Sequence, residues 1–138
     1  MTDSLDKIRK QIDALDEKLQ SMINERAKLA QQVAEVKQAQ GDDAVYYRPE
    51  REAAVLRNVV DRNEGPLSGE EMARLFREIM SACLALEKPM KVAFLGPEGT
   101  FTQAAAFKHF GHSVDTVPMA AIDEVFREVE SGAANYGV

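Results

Sequence analysis

The sequence predicts an all-α three-helix domain followed by an incomplete α/β segment, and three observations support this prediction. Residues 4–40 contain no proline or glycine and place apolar side chains at alternating steps of three and four, the heptad pattern of one long helix. Two shorter amphipathic stretches follow before Pro89. After Met90, short apolar runs alternate with helical stretches of about ten residues, which is typical of parallel βαβ units.

A cation interrupts the apolar seam of the first helix. The seam consists of Leu5, Ile8, Ile12, Leu15, Leu19, Met22, Arg26, Leu29, Val33 and Val36. Arg26 stands where an apolar residue is expected, and Arg9 and Lys37 lie on the same flank of the helix. Because desolvating an unpaired charge is costly, cations on this side need an anionic partner. That partner is either a set of nearby glutamates, with the long stems extended toward water, or a bound anion.

Capping signals locate the helix ends. The first helix is predicted to begin with Asp3 or Ser4 as its N-cap and to fray at residues 40–41, before the polar turn GDDAVYY. Pro49 fits the first position of a second helix, which should extend to about residue 63. Ser68 and Glu71 have the spacing of a capping box for a third helix, which should end at residues 88–89.

Residues 90–138 are predicted to alternate between strands and helices. The predicted strands are KVAFL, SVDTV and ANYGV, and the predicted helices are TQAAAFKHF and AAIDEVFREVESG. Parallel sheets are normally covered by helices on both faces, and so few elements do not achieve this. We therefore expect one domain in residues 1–89 and, in residues 90–138, the truncated N-terminal fragment of a second.

The composition narrows the classes of function. The net charge of −6 argues against a nucleic-acid or membrane partner, so any bound anion must be held by a local group of cations. Cys83 is the only cysteine, which excludes an internal disulfide and a cysteine-based metal site, and two histidines are too few to suggest zinc. No apolar run approaches the roughly 20 residues of a membrane span, and the N-terminus does not resemble a signal peptide. We expect a cytoplasmic protein.

The spacing of the three cations predicts a two-fold dimer. The two short helices cannot cover the whole seam, and a second copy of the chain is the simplest cover. Arg26 and Lys37 are roughly 16 Å apart on nearly one face, whereas Arg9 is roughly 42 Å from Lys37. If two copies pack antiparallel about residues 22–23, Arg9 of one copy faces Lys37 of the other. We therefore expect a homodimer through the first helix, with anion sites completed by both copies.

Several motifs resemble a known family. The segments ALDEKL, NERAKLAQQVAEVK, YRPERE and MARLFREIMSACLALE together resemble the all-helical chorismate mutases, over residues 4–88. The segment VAFLGPEGTFTQAAA resembles the opening of a prephenate dehydratase domain. This order is similar to that of bifunctional chorismate mutase–prephenate dehydratases of phenylalanine biosynthesis. The resemblance implies three-helix protomers that intertwine as a dimer.

The resemblance also implies a reaction. Chorismate would be the substrate, and an intramolecular Claisen rearrangement without a cofactor or metal would convert it to prephenate. The dehydratase, which would convert prephenate to phenylpyruvate, is incomplete in these residues, so that activity is not expected of the chain as given.

Residue roles follow from the same resemblance. By this resemblance, Arg9 corresponds to a family residue that reaches into the active site of the partner protomer. Arg26 and Lys37 are similar to residues that hold a substrate carboxylate and the ether oxygen. Arg51 and Glu52 match positions on the second helix near the substrate, with Glu52 at the ring hydroxyl.

Three further positions complete the implied site. Glu87 matches the last polar position of the third helix, and Lys37, Glu87 and Arg26 are the implied catalytic residues. Arg48 and Cys83 stand where aspartate and serine are common, and both are expected to line the pocket. A charged Glu87 would repel the ether oxygen, so we expect it to be protonated, with its pKa raised by burial beside apolar side chains.

Two other functions remain open on the residues alone. The chain could be a non-catalytic helical dimerisation module whose cations form surface pairs. It could also bind an anion at the loop Gly96–Thr100, which follows a predicted strand and opens a helix. That loop lacks the lysine of a P-loop and the G-x-G-x-x-G pattern, and tight turning is the alternative role of its glycines.

Overall fold

The computed structural model describes residues 2–41 and 45–138 and contains the predicted succession of three helices and a βαβαβ unit. The elements are α1 (Thr2–Ala39), α2 (Pro49–Arg62), α3 (Gly69–Glu87), β1 (Lys91–Leu95), α4 (Phe101–Phe110), β2 (Asp115–Met119), α5 (Ile122–Glu130) and β3 (Tyr136–Gly137). The predicted fold class is therefore confirmed. Part of the predicted turn GDDAVYY, residues 42–44, lies outside the described residues.

The first helix is continuous and long. α1 has 38 residues, which corresponds to about 57 Å at the rise of an ideal α-helix. Since α1 already includes Thr2, Asp3 and Ser4 lie within its first turn, and the prediction that one of them is the N-cap was wrong. Asp3 instead places a negative charge near the positive end of the helix dipole.

The apolar stripe of α1 is largely uncovered in a single chain. α3 packs against α1, but Ala34 is the one residue of α1 that is buried among those described. Leu15, Leu19 and Met22 are 59%, 56% and 65% exposed. Exposed apolar side chains in a continuous stripe usually mark a surface that another molecule covers.

The second and third helices begin as predicted. Pro49 occupies the start of α2, where its missing N–H removes no helical hydrogen bond. Ser68 caps α3 by accepting a hydrogen bond from the Glu71 N–H at 3.1 Å. The Glu71 carboxylate pairs with Arg74 at 2.9 Å rather than returning to Ser68, so only half of the predicted capping box is formed.

The sheet is parallel, with β1 in the centre and the order β2-β1-β3. Val92 packs on the side of α4 and Ala93 on the side of α5, because successive side chains of a strand point to opposite faces. The second predicted strand was placed two residues too early, since Asp115 pairs with the first residue of β1. Pro118 is accommodated because β2 lies at an edge.

The turn between α4 and β2 packs against α3. The Ser113 N–H donates to Ser81 Oγ at 3.2 Å, and the His112 N–H donates to the Glu78 carboxylate at 3.0 Å. Gly111 has φ +81°, and a Cβ added there would lie 2.6 Å from Ser81 Oγ. Residues 90–138 are thus fitted closely to the third helix.

Among the described residues, the helices are too short or too polar to cross a membrane.

Gly111→Ala is expected to destabilise the protein more than Gly132→Ala. Both glycines have φ close to +80°, but nothing lies within 4 Å of a Cβ added at Gly132. Backbone strain alone should lower the free energy of unfolding by about 1 kcal/mol at Gly132, whereas the clash with Ser81 should add about 2 kcal/mol at Gly111. Urea unfolding monitored by circular dichroism measures both losses. Equal losses at the two positions would contradict the close packing of this turn on α3.

Candidate active site

The three helices of residues 1–89 surround a cavity of about 310 Å³. Its walls come from the last third of α1, the residues just before α2, the first two turns of α2 and the C-terminal half of α3. The apolar part of the lining includes Leu29, Val33, Val55, Met80 and Leu84. The cavity is therefore lined by both apolar and charged side chains.

Seven of the eight predicted site residues line this one cavity, namely Arg26, Lys37, Arg48, Arg51, Glu52, Cys83 and Glu87. Arg9 does not, because it lies exposed near the other end of α1. Arg9 and Arg26 are 17 positions apart in the sequence, which corresponds to about 26 Å along the helix. Within one chain, Arg9 is too far away to contribute to the cavity.

Lys37 is held at the cavity by the segment that precedes α2. Its Nζ donates to the Tyr46 carbonyl at 3.1 Å and lies 5.5 Å from the centroid of the Tyr46 ring. An ammonium group has three protons, so this hydrogen bond leaves two for other acceptors. The position of the lysine is fixed while its capacity to donate is retained.

The two arginines at the start of α2 differ in their surroundings. Arg48 lines the cavity, but its Nε donates to Glu50 Oε1 at 3.0 Å in an exposed pair. Arg51 lies in the first turn of α2, close to the positive end of the helix dipole. Glu50 therefore offsets part of the charge of Arg48.

Glu87 is partly buried at the end of α3. Loss of water contact raises the pKa of its carboxyl, while the positive charges of Lys37 and Arg26 act in the opposite direction. The predicted direction of this pKa shift, upward because of burial, is confirmed. Glu87 is therefore closer to protonation at neutral pH than an exposed glutamate.

Three residues next to the site were not predicted from the sequence. Tyr46 and Tyr47 line the cavity, and Arg77 lies behind Glu52. Their signals were present: the tyrosines directly precede Arg48, and Arg77 precedes Met80 by three residues on the same face of α3. Periodicity indicates the face of a helix, but it does not indicate which side chains meet across helices.

Tyr47 connects the cavity to the second part of the chain. Its ring lies 5.7 Å from that of Phe110 and 5.4 Å from that of Tyr136, in tilted and edge-on geometry. Burial, together with the negative charge of Glu52, raises the pKa of Tyr47 to about 12. The phenol therefore keeps its proton at neutral pH.

The loop Gly96–Thr100 uses its polar groups internally. The Gly99 N–H donates to Gln103 Oε1 at 2.7 Å, and Thr100 Oγ1 accepts from the Gln103 N–H at 3.4 Å. Gly96 and Gly99 both have positive φ, at +103° and +83°. These observations favour a turning and capping role for this loop over the binding of an anion.

Comparison with known proteins connects this geometry to a family. Residues 92–138 match the prephenate dehydratase family. Proteins named bifunctional chorismate mutase/prephenate dehydratase are 64% identical over 99% of this chain in Stutzerimonas stutzeri, 52% over 93% in Neisseria gonorrhoeae and 28% over 95% in Escherichia coli. The chain spans 38%, 34% and 38% of the lengths of these relatives. Residues 8–88, which contain the whole cavity, match the model of the type II chorismate mutases, and the chain belongs to this family.

Proposed function

We propose that this protein is a chorismate mutase, which rearranges chorismate to prephenate on the path to phenylalanine. The observation that carries the proposal is the convergence of Arg26, Lys37 and Glu87 on one partly apolar cavity. The carboxylates of chorismate make it a small dianion, and the cavity offers several cations in a protein whose net charge is −6. Such a local group of cations recognises a compact anion rather than an extended polyanion.

The reaction places few demands on the protein. One C–O bond of the substrate breaks while one C–C bond forms within the same molecule, so no group is transferred to or from a side chain. The barrier falls when the substrate is held in its compact, reactive conformer. It falls further when hydrogen-bond donors lie where charge develops, which is at the ether oxygen.

Each group in the cavity then has a role. The planar guanidinium of Arg26 suits a carboxylate because it donates two parallel hydrogen bonds. The compact ammonium of Lys37 suits the single ether oxygen, and the segment at Tyr46 holds it in place. A protonated Glu87 would supply a second donor to the same oxygen, and its raised pKa supports this assignment. Arg51 would assist at a carboxylate, and Arg48 and Cys83 would complete the wall.

A homodimer is part of the proposal. The exposed stripe of α1 supports it, because a second copy packed antiparallel would cover the apolar side chains at Leu15, Leu19 and Met22. The same packing would carry Arg9 of each copy to the cavity of the other. We further propose a domain division near residue 89 and a cytoplasmic location, since the single cysteine requires no oxidising compartment.

No dehydratase activity is assigned to residues 90–138 alone. They match the prephenate dehydratase family over residues 92–138 and form a three-stranded parallel sheet with two edge strands. In this proposal they act as a structural neighbour of the mutase cavity.

An assay of chorismate consumption tests the function. The purified dimer is expected to convert chorismate to prephenate, with the product identified by chromatography, and Arg26→Ala is expected to lower kcat/KM by at least about 100-fold. Lys28→Ala, which alters an exposed cation of the same helix, should behave as the wild-type protein. A folded dimer without turnover would instead support a non-catalytic dimerisation module, and an Arg26→Ala variant with full activity would contradict the proposed role of Arg26.

A further inference from the structure

Arg77 faces Glu52 from the wall behind the cavity. Arg77 Nε lies 3.8 Å from Glu52 Oε1, and the two side chains are 31% and 20% exposed. Arg77 Nε is also buried without a hydrogen-bond partner among the described residues. A buried donor without an acceptor is unfavourable, so the position of this N–H group next to a carboxylate calls for an explanation.

Several charged and titratable groups face Glu52. Arg77 comes from α3, His109 from α4 and Tyr47 from the segment before α2, while Arg26 and Lys37 of α1 line the same cavity. Burial raises the pKa of Glu52, and Arg77 is the strongest influence in the opposite direction, followed by His109 and Tyr47. Without Arg77, the half-buried carboxylate would lose its principal source of compensating charge.

We propose that Arg77 is a positioning residue for the mutase reaction, and that it holds the Glu52 carboxylate in place as a charged acceptor for a hydroxyl group of the substrate. The inference rests on the proposed function and on the role that family resemblance implies for Glu52. Glu52 lines the cavity whereas Arg77 stands behind it, so Arg77 acts through Glu52 without touching the substrate.

This arrangement predicts which kinetic constant changes. The substrate hydroxyl takes part in neither the bond that breaks nor the bond that forms, so its contact with Glu52 is similar in the bound substrate and in the transition state. Loss of such a contact raises KM and leaves kcat nearly unchanged. A purely structural role for Arg77 would also move Glu87, because both lie on α3, and kcat would fall.

Steady-state kinetics of Arg77→Gln across a pH series provides the test. KM should rise about tenfold at pH 7, and kcat should stay within about threefold of the wild-type value. The increase in KM should be largest at acidic pH, because Glu52 without its cation takes up a proton at higher pH. Arg77→Lys, which retains the charge, should keep KM within about threefold of the wild-type value.

Matched variants complete the design. Arg74→Gln removes an arginine one turn earlier on α3, where it forms an exposed pair with Glu71, and should leave both constants unchanged. In a Glu52→Gln background, Arg77→Gln should raise KM by no more than about twofold, because the two residues act as one unit. Arg77→Met keeps the aliphatic stem and replaces Arg77→Gln if that variant does not fold.

The outcomes separate this inference from the proposed function. An inactive wild-type dimer overturns the mutase assignment itself. If the wild-type dimer is active, three results would overturn only the role of Arg77. They are an unchanged KM in Arg77→Gln, a fall confined to the kcat of that variant, and additive effects of the Glu52 and Arg77 substitutions.

Discussion

Lys37→Ala and Arg9→Ala are each expected to lower kcat/KM by at least about 100-fold, yet a mixture of the two inactive proteins should regain activity. Lys37 lines the cavity of its own chain, whereas Arg9 is exposed at the far end of the same helix. In the proposed antiparallel dimer, each site uses Lys37 of one copy and Arg9 of the other. A mixed dimer then has one site in which both residues are native.

The size of the recovery is also fixed by the symmetry. Equal amounts of the two variants, unfolded and refolded together, give mixed dimers as half of the population, and half of the sites in each mixed dimer are intact. Turnover should therefore return to about a quarter of the wild-type value. Analytical ultracentrifugation would verify that the refolded species are dimers.

A second pairing supplies the control. Arg26 and Lys37 lie in the same cavity of the same chain, so mixing Arg26→Ala with Lys37→Ala leaves every site with one altered residue. That mixture should remain inactive. Recovery in the control mixture, or none in the Arg9 mixture, would contradict a site shared between protomers.

Glu87→Gln is expected to make the mutase nearly independent of pH at alkaline values, where the wild-type protein loses activity. Burial raises the pKa of Glu87 in the folded protein, and the proposed role requires its protonated form. The wild-type activity is therefore present below this pKa and should fall about tenfold for each pH unit above it. Glutamine donates a hydrogen bond at every pH, so the variant should retain activity over the same range.

Measurement of kcat and kcat/KM from acidic to alkaline pH compares the two proteins. Glu70→Gln, at an exposed position near the start of the same helix, is the matched control and should follow the wild-type profile. Superimposable profiles for Glu87→Gln and the wild-type protein would exclude the proposed role of Glu87.

The parts of the structure that depend on local spacing were predictable from the sequence. The heptad pattern predicted α1, and helical spacing predicted that Arg26 and Lys37 share a face, as their common cavity confirms. Pro49 and Ser68 predicted the starts of two helices because capping depends on neighbours along the chain. Each of these features is determined within a few turns of one helix.

Features that depend on contacts between distant segments were not predictable in this way. The pairing of Arg77 with Glu52 joins α3 to α2, and the contact of Tyr47 with Phe110 joins the cavity to α4. The register of β2 is set by its hydrogen bonds to β1, which composition does not reveal. A pattern of residue types specifies which face is apolar, but the meeting of particular side chains follows from packing.

The close packing of the α4–β2 turn against α3 limits how the helical domain can be joined to other domains. One face of α3 lines the cavity, and a neighbouring face holds Ser81, 6% exposed, against Gly111 and Ser113. Grafting residues 1–89 onto another partner would uncover this face and would leave Glu78 without His112. The three helices are therefore shaped to pack against residues 90–138. A fusion of these helices to a different domain would need an equally small residue in contact with Ser81.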